Sequence, residues 1–298
     1  MIIGPNSIHL PAGRYVVAVS GGVDSMSLLD MLSKQSGLEL IVAHFNHGIR
    51  QNAADDEKLV ARTAKKLGLK FEVGHGGLGA RASEEKARKA RYDFLEKVRV
   101  NNKAKFIVTA HHQDDLIETA VINVLRGTGR LGLSAIKHNE LIKRPLINTP
   151  KKQILAYAKA NKIKWLEDST NKDTRFLRNY IRAEVAPKLG EREREKLLKN
   201  IERVAKNKQE LEYLVATMSQ NILSNGQVDR SKFTALPLAL ANELVSYWLR
   251  SLSVRQFDRK TIQRLVTAIK TAHPNTETDV NNNLKLVILA ENAHFSNR

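Results

Sequence analysis

The residues best suited to chemistry sit near the start of the chain, at Ser20-Gly21-Gly22-Val23-Asp24-Ser25. An apolar run, Arg14-Tyr-Val-Val-Ala-Val19, leads into them, and a helix-compatible stretch, Met26 to Leu32, follows at once. Adjacent glycines let the backbone approach an anion with no Cβ in the way. A helix starting directly behind them offers free N–H groups and the positive end of its dipole. Ser20 and Ser25 add hydroxyl donors, and Asp24 is placed to help hold Mg²⁺. The plainer reading is a tight turn with Asp24 or Ser25 as an ordinary N-cap. The full string after an apolar strand is far rarer than a bare Gly-Gly turn, so the expectation is a phosphate cradle. It is not a Walker A loop, because no Gly-Lys-Ser/Thr follows.

Four further clusters carry candidate chemistry. His44-Phe-Asn-His47-Gly-Ile-Arg50 closes a second apolar run. With no third partner nearby in sequence, its histidines read better as polar groups of a nucleotide cleft than as metal ligands, and Arg50 could reach a phosphate. Ser83-Glu84-Glu85 reads as a capped helix start. Arg88 and Arg91, three apart, then share a face that could meet a nucleotide phosphate or RNA. Thr109-Ala-His111-His112-Gln-Asp114-Asp115-Leu-Ile-Glu118-Thr119 gathers two histidines and three carboxylates. Asp115 and Glu118 are helical i,i+3 neighbours, whereas Asp114 could be a cap. The group suits Mg²⁺ or a cationic substrate, and the residues alone leave both open. Arg126-Gly-Thr-Gly-Arg130-Leu-Gly132 reads as a loop whose arginines could contact RNA or phosphate. Asp168-Ser-Thr-Asn171, read alone, is turn chemistry.

These clusters need a scaffold. Strands are expected at 14–19, 38–45, 69–73 and 104–110, with helices at 24–36, 53–68, 83–102 and 114–126. This alternation predicts a parallel, Rossmann-like sheet with helices on both faces. Ligands in such sheets sit at the carboxyl ends of the strands, where the clusters fall. Thr149-Pro150 predicts a helix to about Ala160, with Pro at its first position. Leu197, Ile201, Val204, Leu211 and Val215 recur at helical spacing and predict a long connector, its Glu191–Lys196 face salt-bridged and solvated. Helices at 237–252 and 259–272, then strands within 279–295, complete the chain. The expected division is a nucleotide-binding domain over 1–215, including the connector, and a small, mostly helical domain over 216–298.

The chain has 298 residues, 42% of them hydrophobic, and a formal net charge of +18, a surplus that argues for a polyanionic partner. Aromatics are only 5%, so phosphate contacts are expected to outweigh base stacking. With no cysteine, disulfides, zinc-thiolate sites and thiol nucleophiles are excluded. The amino terminus lacks the pattern of a signal peptide, and a cytoplasmic location is expected.

The Ser20–Ser25 loop resembles the pyrophosphate loop of ATP-pyrophosphatases. With His44–Arg50, Glu84-x-x-Ala87-Arg88-x-x-Arg91-Tyr92, Thr109–Thr119, Arg126–Gly132, Arg144-Pro-Leu146, Asp168-x-x-Asn171 and Arg178-Asn179-x-x-Arg182, in this order, the chain resembles the tRNA(Ile)-lysidine synthetase family. Motif coverage runs from about 14 to 190. Asn46 departs from the histidine often found there. The resemblance implies a ligase that uses ATP and Mg²⁺ to adenylate C2 of the wobble cytidine in the CAU-anticodon isoleucine tRNA, releasing pyrophosphate. Free L-lysine then displaces AMP to form lysidine. It further implies catalytic roles for Asp24, His111, Asp115, Glu118, Arg88 and Arg178, with Asp24 on the metal. Ser20, Gly21, Gly22, Val23, Asp24, Ser25, His44 and Arg50 would bind ATP. Asp115, Glu118, Arg88, Arg91, Arg126, Arg130, Asn171, Arg178 and Arg182 would bind lysine and tRNA. Oligomeric state stays open, a homodimer included.

Overall fold

A computed structural model describes residues 3–48, 53–77, 79, 83–127, 141–167, 173–254 and 257–297. The chain divides into two compact units, 1–205 and 206–298.

In the first unit, β1 (Gly13–Ala18), β2 (Leu38–Asn46), β3 (Lys70–His75), β4 (Phe106–Val108) and β5 (Ile142–Lys143) form one parallel sheet in the order β3-β2-β1-β4-β5. Its strands alternate with α1 (Val23–Ser33), α2 (Ala53–Lys66), α3 (Glu84–Asn101) and α4 (Gln113–Leu125). Each expected strand and helix is present, with ends shifted by a few residues. The apolar run of β1 is buried on both sides, as a central parallel strand requires. Tyr15, Val17 and Val19 point into a core with Leu28, Leu29 and Leu32 of α1, Val60 of α2, and Ile154 and Tyr157 of α5 (Lys151–Ala160). Val16 points the other way, toward Ile41, Ile107, and Leu95 and Val98 of α3. Strand period two thus divides one run of valines between two cores.

The chain leaves β1 for β2 and β3 on one side, then crosses to β4 on the other. The loops after β1 and β4 therefore diverge from neighbouring strand ends, which makes a crevice at the topological switch point. α5 begins one residue later than expected. Pro150 is the extended cap residue (ψ 142°), and Lys151 is the first helical one.

A short helix, α6 (Leu177–Tyr180), a wide turn at Ile181–Val185 and the long α7 (Glu191–Ile222) follow. The unit boundary falls inside α7. Ile201, Ala205 and Val215 along α7 are buried, in line with its expected apolar spacing.

The second unit is helical with its own small antiparallel sheet. α8 (Arg230–Thr234), α9 (Leu238–Ser251) and α10 (Arg259–Thr271) accompany β6 (Leu223–Ser224), β7 (Gln227–Asp229), β8 (Thr276–Asn281), β9 (Leu284–Ile288) and β10 (Asn292–Asn297), ordered β6-β7-β10-β9-β8. Phe233, Leu244, Trp248, Leu265, Ile269 and Ile288 fill its core. The Arg230 guanidinium donates to the carbonyls of Ile269, Ala272 and Leu289, which satisfies the end of α10. Among the described residues, no helix is long and apolar enough to cross a membrane.

Candidate active site

The Ser20–Ser25 loop lies at the end of β1, and α1 starts inside it. Gly22 is the cap residue and supplies no side chain to the first turn, so the helix N-terminus faces outward with donors available to an anion. The hydroxyls brace the loop. Ser25 Oγ donates to Gly22 O at 3.0 Å, accepts Ser20 N–H at 3.1 Å and lies 3.2 Å from Ser20 Oγ. Gly21 has φ +94°, and a Cβ there would sit 2.9 Å from Asp56 Oδ1. Both its conformation and its surroundings call for glycine. Leu166 N–H donates to Gly21 O at 3.1 Å and ties the loop to the segment after α5.

Lys151 stands over this loop. Its Nζ lies 2.6 and 2.5 Å from the two carboxylate oxygens of Asp24, and His112 Nε2 lies 3.7 Å from the same carboxylate. Asp114 is not the cap of its own helix. It caps α5 instead, accepting Lys151 N–H at 2.8 Å, while its other oxygen takes the Arg194 guanidinium. These two contacts of one carboxylate correct the reading of Asp114 as a local cap and of Arg194 as part of a solvated face. The N-terminus of α5 has only Pro150 as cap residue and needs an acceptor from elsewhere. Arg194, from the stretch expected to be solvated, turns inward to balance that acceptor.

On α4, Asp115 Oδ2 accepts His112 N–H at 2.9 Å, and its other oxygen lies 3.6 Å from Arg182 Nη2. Burial opposes ionisation of Asp115, but His112, His111 and Arg182 hold its carboxyl below the usual range. Glu118 is almost fully buried, with 1% of its surface exposed, and Arg182 grips it through Nε at 2.7 Å and Nη2 at 2.8 Å. Arg182 comes from the wide turn at Ile181–Val185, which re-aims a side chain where a regular helix would carry it past. Four carboxylates, Asp24, Asp114, Asp115 and Glu118, thus face three permanent cations, Lys151, Arg194 and Arg182. Among the described residues the carboxylates of this lobe outnumber its permanent cations by one, with the His112 ring lying between Asp24, Asp114 and Asp115. Asp24 fits a Mg²⁺ carried in by phosphates, since that ion keeps most of its waters and needs only one or two protein carboxylates.

The opposite sign gathers on the α3 and β5 side. Arg88 and Arg91 lie over the Tyr92 ring, 4.9 and 5.4 Å from its centroid. Arg144, just after β5, lies near the same tyrosine, whose buried Oη has no hydrogen-bond partner. Arg178 of α6 lies near Arg91 and donates to Thr119 Oγ1 at 3.5 Å. His111 shares a 2.8 Å hydrogen bond with Thr109 Oγ1. Burial, with Arg144, Arg91 and Arg88 adding to it, pushes the His111 pKa down to about 4 against the pull of Asp115. The imidazole is neutral at physiological pH.

The remaining nominated residues are distributed as follows. His44 is buried, and its Nδ1–H donates to Val19 O at 2.8 Å, so it braces the strand that feeds the loop. Asn46 accepts Gly48 N–H at 3.0 Å and donates to Glu57 at 3.2 Å. Arg126 is exposed just beyond α4. Arg50, Arg130 and Asn171 lie outside the described residues. Lys151 and Arg194 were missed by sequence reasoning, and Arg144 was noted only within a motif. Their partners are far away in the chain, 127 residues in the case of Lys151 and Asp24.

A parallel sheet, a glycine loop feeding a bare helix N-terminus, and a carboxylate at its mouth define a nucleotide-binding α/β enzyme of the pyrophosphate-loop type. The PP-loop domain profile matches residues 5–189, and the chain belongs to that ATP-binding family. Among curated relatives, the chain is 40% identical over 197 residues to a tRNA(Ile)-lysidine synthase of Pseudothermotoga lettingae, covering 63% of this chain and 44% of that one. It is 37% identical over 194 residues to a protein of the same name from Thermotoga maritima, covering 61% and 47%. The chain thus spans under half the length of these relatives. Among solved structures, the U34-tRNA thiolase NcsA from Methanococcus maripaludis superposes with a TM-score of 0.53 at 18% identity, covering 65% of this chain and 73% of that one. That likeness is one of fold.

Proposed function

We propose that this chain is a tRNA(Ile)-lysidine synthetase. The observation that carries the reading is the two-signed site beside the loop. Among the described residues, a lobe of four carboxylates against three permanent cations adjoins a group of Arg88, Arg91 and Arg144 beside a neutral His111. An ammonium substrate and a polyanionic one would each find a counter-charge there. The names of the matched relatives support an isoleucine tRNA as the polyanionic one.

In this reading the Ser20–Ser25 loop and the N-terminus of α1 cradle the β- and γ-phosphates of ATP. Mg²⁺ bound with those phosphates would meet Asp24 and offset charge on the departing pyrophosphate. Lys151, freed from Asp24, then stands against the phosphates. The arginines hold the tRNA so that O2 of the wobble cytidine faces the α-phosphate. Adenylation releases pyrophosphate and makes C2 electrophilic. Asp115 draws in the lysine side chain, whose pKa is about 10.4 in water. The ammonium passes a proton to the Asp115 carboxylate, the neutral amine forms the new bond to C2, and the C2–O2 bond breaks as AMP leaves with that oxygen. Glu118 acts through Arg182, fixing the guanidinium that sits 3.6 Å from Asp115. The residues after about 216 would add tRNA contacts, and the reaction would take place in the cytoplasm.

The test is incubation with ATP, labelled L-lysine and total tRNA, followed by nucleoside analysis. Label in lysidine from the isoleucine tRNA supports the proposal. ATP cleavage with no lysine in RNA refutes it.

A further inference from the structure

The cationic lobe contains an arrangement that the ATP cradle does not explain. Arg88, Arg91 and Arg144 converge on Tyr92 from two elements, α3 and the end of β5. Among the described residues, none of the three is paired with a carboxylate, because Asp115 and Glu118 are taken up by Arg182. Arg144 Nε is buried with no hydrogen-bond partner. Burial holds the pKa of Arg91 and of Arg144 below the usual arginine range, and the charge of Arg88 adds to it. Arg91 and Arg144 are half-buried and Arg88 is exposed, and like charges crowded around one ring repel one another until an anion joins them. The Tyr92 ring offsets only part of this. Guanidinium forks match the paired oxygens of a phosphate.

We infer that Arg144, with Arg88 and Arg91, forms a second phosphate seat, separate from the Ser20–Ser25 cradle, that takes a backbone phosphodiester next to the reacting nucleotide of the RNA. The inference rests on the proposed function for the identity of that RNA. The ATP phosphates share the same chemistry, but the cradle already provides for the pyrophosphate end. An RNA phosphodiester held here would fix the target nucleotide at the β4–β5 end of the crevice, beside His111.

The experiment uses the full chain and an anticodon hairpin RNA with the CAU loop. One hairpin is unmodified. Two others carry an uncharged methylphosphonate in place of the phosphodiester on either side of the target cytidine. One neutral linkage should cost the wild-type protein about tenfold in affinity, the scale of a lost charge-assisted hydrogen bond. Arg144→Gln should lose about as much with the unmodified hairpin and nothing further with that linkage, since residue and phosphate belong to one interaction. ATP affinity of the variant should match wild type. Losses that add for both linkages overturn the inference. A tenfold loss of ATP affinity with unchanged hairpin binding assigns the seat to ATP and overturns the RNA source. Should Arg144→Gln fail to fold, Arg88→Gln carries the same comparison from the exposed side of α3. A wild-type protein that binds the hairpin yet makes no lysidine refutes the proposed function and leaves the linkage comparison valid.

Discussion

Lys151 Nζ holds both carboxylate oxygens of Asp24, at 2.6 and 2.5 Å, across 127 residues of chain. The pair closes the mouth of the phosphate loop with an internal ion pair. Phosphates and Mg²⁺ entering the loop have natural claims on its two halves, the anion on Lys151 and the cation on Asp24. Asp24→Ala should therefore abolish tRNA adenylation while leaving hairpin binding within about twofold, because RNA affinity comes from distributed phosphate contacts. Pyrophosphate release measured beside hairpin affinity checks both halves. Near-wild-type release by Asp24→Ala would remove that residue from the chemistry.

Glu118, the most buried carboxylate of the site, is paired with Arg182. Glu118→Gln leaves a partly buried guanidinium with a weaker partner, and Arg182→Met leaves a buried carboxylate with none. Breaking a buried pair costs about 3–5 kcal/mol. Arg182 is 40% exposed, so the lower end of that range is expected here. Urea unfolding of the two variants would show this, and a midpoint equal to wild type would contradict it. Asp115→Asn should behave differently. It keeps most of the fold and forms adenylated tRNA, but transfers lysine poorly. Absence of the adenylated intermediate, with normal tRNA binding, would exclude Asp115 from the lysine step.

His111 supplies a pH dependence with a defined sign. Its folded-state pKa is about 4, and its ordinary value is 6.5. Between those values the unfolded chain takes up a proton that the folded chain refuses, so stability falls as pH drops from 6.5 toward 4. Above 6.5 the residue makes no difference. His111→Gln should flatten this part of the stability curve, as measured by denaturant midpoints at pH 7, 6, 5 and 4. An unchanged slope would mean that the imidazole is already charged in the folded protein.

Gly21→Ala should weaken ATP binding by about tenfold or more. Its backbone is left-handed at φ +94°, and the new methyl would meet Asp56 Oδ1 at 2.9 Å. Global stability should fall far less than affinity. Equilibrium ATP binding and thermal unfolding, run side by side, separate the two effects.

The positive charge of the chain is unevenly shared. Residues 1–205 carry 37 Lys and Arg against 23 Asp and Glu, and residues 206–298 carry 12 against 8. The second unit is expected to contribute to RNA affinity, and this distribution gives the first unit the larger share of positive charge. A cleft of about 600 Å³ on α2, lined by Lys58, Arg62, Lys164 and Trp165, lies in the richer unit. Lys58→Gln with Arg62→Gln should lower the slope of log affinity against log salt by about one to two. Lys260→Gln with Arg264→Gln, on α10, should change it less. The reverse order in a salt titration would return the main RNA contact to the second unit.

Much of this organisation is legible in the sequence because it is local. Tyr15 to Val19 announces a doubly buried strand, Gly21-Gly22 a loop open to an anion, and Ser83 a cap, whose side chain does accept Lys86 N–H at 3.2 Å. The features that escaped are those in which one partner is undistinguished in its own neighbourhood. Lys151 reads as any helix-start lysine until α5 is packed on α1. Arg194 sits among alternating charges that suggest solvent. Asp114 looks like the cap of its own helix because nothing in sequence says that α5 starts beside it. β6 and β7, two and three residues long, are too short to show alternation.

Asp114 joins three elements with one carboxylate, since it is carried by α4, caps α5 at Lys151 and takes Arg194 from the first turns of α7. It works as a rivet. The height of Lys151 above the phosphate loop and the seating of the start of α7 cannot be adjusted independently. A chimera that imports another α7 without an arginine in this place would leave Asp114 unbalanced and loosen the turn that aims Lys151. Transplanting the loop alone would move a motif without its anchorage, so the smallest portable unit of this site runs from β1 through Arg194.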